Sequence, residues 1–595
     1  MRLAVRGALP LWAIALLLPG TFVIGVARLL GPGFARRNDF WIIALGACLG
    51  LPMLGASGLV DPWETHYAEV ARAMIERHDL VSPWWANEGW FRSKPILTFW
   101  LEALSLFVFG ARTGDDQVLL GQPEWAIRNL AFALIGTYFL HDGVARLCGK
   151  RAALLGAIAL STMPGFALLR HQALTDMPLV GGVAAALGLL LRATATNDVV
   201  LATRRLRFTV AIAIGIATIG QCMLLVSHGQ LAAGDPHACG LPGQPACAVI
   251  RAAYPRLRPA LQACLWLTPS VWLVACAWSE TRAARLVALG AWFFAALAAM
   301  AKGPAGLVVP AGAMLVVLVT RRSLRDLARL EIGAGLLLVM TMIAPWYLAA
   351  FARHGRPFLD ELVLRNMLGR ALDHLHDTNE GEDVGIVYFV RQLGYATFPW
   401  CGLAPIAVLA AARVDRGKRA GARALLFGAT LVAFGLVSWM RTKFHHYVLV
   451  AIPPIAMLTG IGLDELLTMK TGARRKWAAF ALGAAATVVA LVGRDAAAAP
   501  TRFIGLLSYR YGRVWPSTLE FRTTIFVTTV ASVAFLLAAI RWRTKAIVLF
   551  AASAVVFTAL LLDVYLVRCA DDGGQRGLLA TYYREREASG ARSAP

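Results

Sequence analysis

Five short polar stretches in this 595-residue chain carry side chains whose types and spacing could do chemistry. LVDPWETHYAEVARAM (59–74) places Asp61 and Glu64 where an unbroken apolar run from about Trp41 ends. RHQALTDMP places Asp176 between two apolar stretches, and WFRSKPILTFW, MAKGP and SWMRTKFHHYVL supply Lys94, Lys302, and then Arg441, Lys443, His445 and His446. Cations of this kind hold an anionic phosphate or diphosphate leaving group. A carboxylate beside them can orient or deprotonate an acceptor hydroxyl, or stabilise positive charge developing at an anomeric carbon. No G-x-x-x-x-G-K-[ST] loop and no G-x-G-x-x-G after a strand is present, which is consistent with a lipid-borne donor that is already activated.

Each residue also has a plainer reading. Asp61 before Pro62 is a good helix N-cap, and Glu64 three residues later completes a capping box. A lysine at the end of a span can simply snorkel to the interface. The cap and the catalytic carboxylate are compatible roles for Asp61. What favours chemistry for the set is that ionisable groups near membrane depth are costly and here fall together.

The elements that must position them are membrane helices. The chain is 58% hydrophobic and 16% charged, with a mean hydropathy of +0.62, and many apolar runs exceed the roughly 18–20 residues that span a bilayer. The expected fold is all-α and polytopic, because helices satisfy their own backbone in lipid and these runs are too long for barrel strands. The runs give about 14–16 spans, near 9–30, 40–60, 125–147, 152–169, 177–193, 206–226, 260–279, 284–301, 304–320, 332–351, 394–411, 422–439, 446–466, 476–493, 524–541 and 545–567. The formal charge of +23 is concentrated in short loops such as Arg36 and Arg37, Lys150 and Arg151, Arg204 to Arg207, Arg321 to Arg329, and Arg413 to Arg423. That is the positive-inside pattern, without the aromatic–basic interleaving of a nucleic-acid binder. Placing these loops in the cytoplasm sends Asp61, Glu64, Lys94, Asp176, Lys302 and the 440–446 turn to the opposite, extracytoplasmic face.

The exterior segments 62–124, 227–259 and 352–393 have their own character. The first carries Trp63, Trp84, Trp85, Trp90, Trp100 and Trp125 among charges, as expected for amphipathic helices lying at the membrane surface, most of the tryptophans forming an aromatic belt. HACGLPGQPAC in the second holds Cys239 and Cys247, spaced for a disulfide on an oxidising face. In the third, His374, His376 and Asp377 could supply ligands to a divalent metal, the one cofactor for which residues can be named. Residues 1–30 read as a retained helix rather than a cleaved signal, since removal would invert the facing.

DPWETHYAEVARAM, FRSKPILTFW, LTDMP, AKG and RTKFHHYVLVAIPP, in this order and with this common facing, resemble the GT-C membrane glycosyltransferases, nearest the aminoarabinose transferase and protein O-mannosyltransferase-like branch. The resemblance covers most of the chain from about 40 to 465. It implies a catalytic role for Asp61, with Glu64 beside it, and for Asp176. It also implies that Lys94 holds the lipid phosphate, with Lys302, Lys443 and His446 at the family's later basic positions; Arg441 joins them as a neighbouring cation. Aminoarabinose transferases resemble F-E-K-P at the lysine, the Glu being implicated in metal binding, whereas this chain has Arg92-Ser93-Lys94, which puts a metal there in doubt.

The domain organisation expected is an extra N-terminal helix and basic loop (1–39), a GT-C catalytic core (40–466), and C-terminal helices with a short exterior tail (467–595). The function expected is transfer of a sugar from a polyprenyl-phosphate donor to a lipid A-type lipid, a protein or a glycan, at the extracytoplasmic face of the inner (plasma) membrane. A lipid-linked sugar flippase or transporter is the alternative. It should show charges deep within several spans and repeat symmetry between halves, whereas here the charges sit at span ends.

Overall fold

A computed structural model describes residues 37–56, 58–60, 63–85, 89–108, 128–196, 200–229, 259–321, 330–373, 386–412, 418–469, 472–506, 521–574 and 576–588. Asp61, the cysteine pair Cys239 and Cys247, the set His374, His376 and Asp377, and the 9–30 span lie outside the described residues. The fold is all-α, its sheet limited among the described residues to one two-stranded hairpin.

From the 40–60 span onward, each expected apolar run meets a helix: α1 (Asn38–Gly50), then, beyond the exterior segment, α4 (Leu130–Cys148), α5 (Lys150–Thr162), α6 (Pro164–Leu169), α7 (Asp176–Ala195) and onward to Thr544–Leu560. Among the described residues nine helices are long and apolar enough to cross a membrane, and five shorter apolar ones accompany them, so the chain is a multi-pass membrane protein. Some runs are shorter or more broken than expected, and in two of them proline is the reason. Helix α1 ends at Gly50, ahead of Pro52, which lacks the N–H the helix would need next. The 152–169 run divides at Met163, held extended (ψ 123°) by Pro164 at the first position of α6.

The segment expected outside, 62–124, holds α2 (Trp63–Glu76), an amphipathic helix burying Glu64, Tyr67, Val70, Ala71 and Met74. A hairpin follows, β1 (Trp84–Trp85) against β2 (Gly89–Trp90), and then the apolar α3 (Leu97–Val108). The hairpin was not expected. Trp346 Nε1 donates to the Val81 carbonyl at 3.0 Å, and Arg353 donates to Asp79 and Ser82 at 2.6 and 2.9 Å, so α13 (Ile332–His354) fastens the segment leading into it.

Three helices bring the site together. α7 packs along α4 through small residues: a Cβ added at Gly188 would lie 2.3 Å from backbone atoms of Phe139, and one at Gly143 would lie 2.4 Å from the Gly188 carbonyl. Only bare glycine backbones permit that approach, the usual device of helices packed in lipid. α11 (Ala283–Lys302) lies on the other side of α7. It ends in Lys302, with Gly303 at φ 117° turning the chain into α12 (Ala305–Arg321). Helix α7 thus starts with a carboxylate where the helix dipole is unkind to cations and favourable to anions, and α11 ends with a cation where the reverse holds.

Candidate active site

Six stretches of the sequence meet in one open pocket of about 340 Å³, lined by Trp63, Tyr67, Lys94, Leu174, Asp176, Lys302, Arg370, Phe444, His446 and Tyr447. Lys94, Asp176, Lys302 and His446, singled out in the sequence as charged residues at exterior span ends, are all in its wall. Asp176 accepts a hydrogen bond from the Lys302 ammonium, with His446 Nε2 3.8 Å from the same oxygen. The Lys302 ammonium also lies 4.9 Å from the centre of the Tyr447 ring. The carboxylate and one cation therefore satisfy each other before any substrate arrives.

Lys94 is different. It is buried, and among the described residues it makes no hydrogen bond or ion pair. Burial, then the nearby Arg370 and Lys302 cations, push its ammonium well below the usual lysine range, against a smaller opposing pull from Asp176. Three basic groups therefore share a desolvated wall with one carboxylate among the described residues, and charging all three is unfavourable. That arrangement is unfavourable by itself and becomes favourable when an anion enters.

Arg370 was not anticipated. Its guanidinium donates to Asn366 Oδ1 at 2.8 Å and lies 5.7 Å from the Phe444 ring centre. Backbone pairing seats it there: Thr442 N–H donates to the Arg370 carbonyl and Arg441 N–H to that of Ala371, each at 3.1 Å. Asn366 Nδ2 also donates to the Arg92 carbonyl at 3.3 Å, which joins the π-helical Leu359–Gly369 stretch to the segment carrying Lys94. Nothing in the sequence singled it out, since Arg353, Arg356, Arg365 and Arg391 share its segment. Trp63 was counted with the aromatic belt, and Tyr67 and Tyr447 carried no signal beyond their charged neighbours.

Two expected cations do not reach the pocket. The Lys443 ammonium donates to the Ser438 and Met440 carbonyls at 2.7 and 2.5 Å, at the end of α16 (Lys418–Trp439), and lies 5.9 Å from the Phe389 ring. It satisfies the last carbonyls of a helix, a task lysines perform well. Arg441 is exposed and takes part through its backbone. Arg92, two residues before Lys94, lies 3.5 Å from Glu361.

Glu64 is placed as a brace. Its Oε1 accepts from Ala173 N–H at 2.8 Å, and its Oε2 from Val60 N–H at 2.9 Å, with Arg128 Nε 3.9 Å away. Arg128 in turn donates to the Leu54 and Gly58 carbonyls, and Asn129 Nδ2 donates to that of Leu174 at 3.1 Å. Glu64 thus ties the segment leading to Asp61 to the turn leading to Asp176. Of the capping box read from the sequence, the Glu64 half lies among the described residues, and its reach is displaced onto Val60. Burial raises the Glu64 carboxyl, while Arg128 and the two N–H groups favour its charged form. Glu64→Gln keeps the shape but sets an NH₂ against one of those N–H donors. A buried donor left unpaired costs about 1–3 kcal/mol. The expected result is a lower melting temperature, with activity falling in step. Lost activity at an unchanged melting temperature would make Glu64 a participant in the chemistry.

No family model matches the chain. It is 30% identical over 176 residues to the undecaprenyl phosphate-alpha-4-amino-4-deoxy-L-arabinose arabinosyl transferase of Pectobacterium carotovorum, an alignment covering 29% of this chain and 30% of that protein. The fold is similar to that of ArnT from Cupriavidus metallidurans bound to undecaprenyl phosphate, with a TM-score of 0.55 at 17% identity, covering 90% of this chain and 77% of that one. The apo state of the same protein gives a TM-score of 0.53 at 18% identity over the same shares. The chain therefore has the GT-C fold that its ordered motifs resemble.

Proposed function

We propose that this chain is a glycosyltransferase that moves a sugar from a polyprenyl-phosphate donor to an acceptor at the extracytoplasmic face of the inner membrane. The observation that carries the reading is the meeting of Lys94, Lys302, Arg370 and His446 around Asp176, in a fold otherwise seen in a protein bound to undecaprenyl phosphate. In this reading the donor phosphate lies among Lys94, Lys302 and Arg370. The bond from the anomeric carbon to the phosphate oxygen breaks, and the electron pair leaves with polyprenyl phosphate, whose developing charge the cations stabilise. The acceptor oxygen forms the new bond. If it is a hydroxyl, its proton passes to a carboxylate, the role proposed for Asp61; if it is a phosphate, already ionised, no base is needed. Asp176 keeps the Lys302 ammonium aimed into the pocket. The partners proposed are the lipid-linked donor, surrounding membrane lipid, and a lipid A-type lipid, protein or glycan as acceptor. Mass spectrometry of the lipid and glycoprotein fractions of a deletion strain separates these acceptors.

The electrostatics of Lys94 give a binding test. Its ammonium is disfavoured in the empty pocket, and a phosphate beside it restores the charged form, so anion binding should take up protons. Above a pH of about 7, where the phosphate's second ionisation, with its pKa of about 6, is mostly complete, affinity for undecaprenyl phosphate should fall as pH rises from the depressed Lys94 range of the empty pocket toward its range beside phosphate. Calorimetry in buffers of different ionisation enthalpy measures that uptake. A pH-independent affinity with no proton uptake would remove Lys94 from the phosphate's neighbourhood.

A further inference from the structure

One wall of the pocket takes no part in the charge chemistry. Trp63 lines it beside Asp176 and Lys302. Its ring lies parallel to that of His66, with 5° between the planes and 6.2 Å between centres. His66 in turn stacks on Trp85 at 3.7 Å and meets Phe91 edge-on at 4.7 Å. Tyr67 packs beside the indole at 5.9 Å. Burial brings the His66 ring down to about 4, so this column is uncharged at neutral pH. A flat, neutral, laterally supported aromatic surface therefore faces a cationic one across the same space.

The two surfaces suit different parts of one molecule. Phosphate belongs with the cations. A sugar ring presents a face of C–H groups and a rim of hydroxyls, and that C–H face packs on an aromatic plane through dispersion and weak C–H contacts. An isoprenoid chain has no such plane to match, and the phosphate has no apolar face. Support from His66 and Trp85 means the indole is ordered before binding, so little entropy is lost when a ring settles on it.

We propose that Trp63 is the stacking platform for the donor's sugar ring, which makes it a specificity-determining residue that contacts the sugar and not the phosphate or the lipid. The inference rests on the glycosyltransferase reading above. It places the sugar between the aromatic column and Asp176, with the phosphate toward Lys94.

The test compares two ligands on the full-length purified protein. Undecaprenyl phosphate carries the phosphate and lipid alone; undecaprenyl-phosphate-linked 4-amino-4-deoxyarabinose and undecaprenyl-phosphate-linked glucose add a ring. Trp63→Ala should weaken the sugar-bearing lipid that the wild type binds better by about ten-fold, which is 1.4 kcal/mol, and leave undecaprenyl phosphate within two-fold of the wild type. Trp63→Phe, which keeps a ring, should recover most of the loss and rule out a folding defect. Equal loss for both ligands, or none for either, would overturn the platform. A wild type that binds undecaprenyl phosphate but neither sugar-bearing lipid more tightly would also overturn it. A wild type that binds none of the three would remove the donor reading beneath it.

Discussion

Asp61→Asn should express, insert and melt much as the wild type does, and transfer sugar to a hydroxyl acceptor roughly 10²–10⁴-fold more slowly, the usual contribution of a general base. The substitution separates two roles that the sequence assigns to one residue. Asn caps a helix nearly as well as Asp, a cap being worth about 1 kcal/mol, so the acceptor oxygen for capping survives while the charge does not. Both sides of Asp61 are anchored. Arg128 holds the carbonyls of Leu54 and Gly58 ahead of it, and Glu64 binds the Val60 N–H and reaches across to Ala173. None of these neighbouring hydrogen bonds uses the Asp61 carboxylate. Sugar transfer by well-folded Asp61→Asn at the wild-type rate would leave the residue as a cap alone. Retained transfer only to phosphate-bearing acceptors would assign it to deprotonation of a hydroxyl.

Lys94→Met should lose about one to two decades of donor affinity or rate, the roughly 1.5–3 kcal/mol that a charge-assisted contact supplies. The same change should not lower the melting temperature, and should raise it. In the empty pocket Lys94 is a buried amine whose charged form is disfavoured by burial and by two nearby cations, and it gains no hydrogen bond or ion pair among the described residues. Replacing it with an apolar side chain removes a buried polar group that has no compensating partner there. Lys302→Met is a poorer probe, because it strands the buried Asp176 carboxylate, a change that costs about 3–5 kcal/mol in comparable pairs. Its activity loss would be mixed with instability. A Lys94→Met protein that is more stable and less active indicates a residue held for binding at the expense of folding, as functional sites commonly show. One that is less stable and equally active would make Lys94 a structural anchor.

How much of this was legible in the sequence depended on whether a residue's role could be separated from its position. The membrane helices were legible because an 18-residue apolar run has few alternatives. Lys94, Asp176, Lys302 and His446 were legible because charge at the exterior end of a span is costly and needs a reason. Lys443 looked the same by that criterion and proved different: a lysine after a helix either caps it or faces a ligand, and only the distances to the Ser438 and Met440 carbonyls distinguish the two. Arg370 depends on backbone pairing between residues 370–371 and 441–442, a contact no local pattern encodes. The hairpin at Trp84–Trp90 has strands of two residues each, too short for alternation to register. Trp63 was hidden by abundance, since a tryptophan among many near an interface has an ordinary explanation.

The account turns on one claim, that the pocket around Asp176 receives the phosphate of a polyprenyl carrier. A structure of the full-length protein in lipid with undecaprenyl phosphate tests it directly. The account predicts the phosphate within hydrogen-bonding distance of the Lys94 ammonium, with Lys302 and Arg370 turned toward it. Undecaprenyl phosphate bound with its headgroup elsewhere, and this pocket unchanged from its empty form, would contradict the claim.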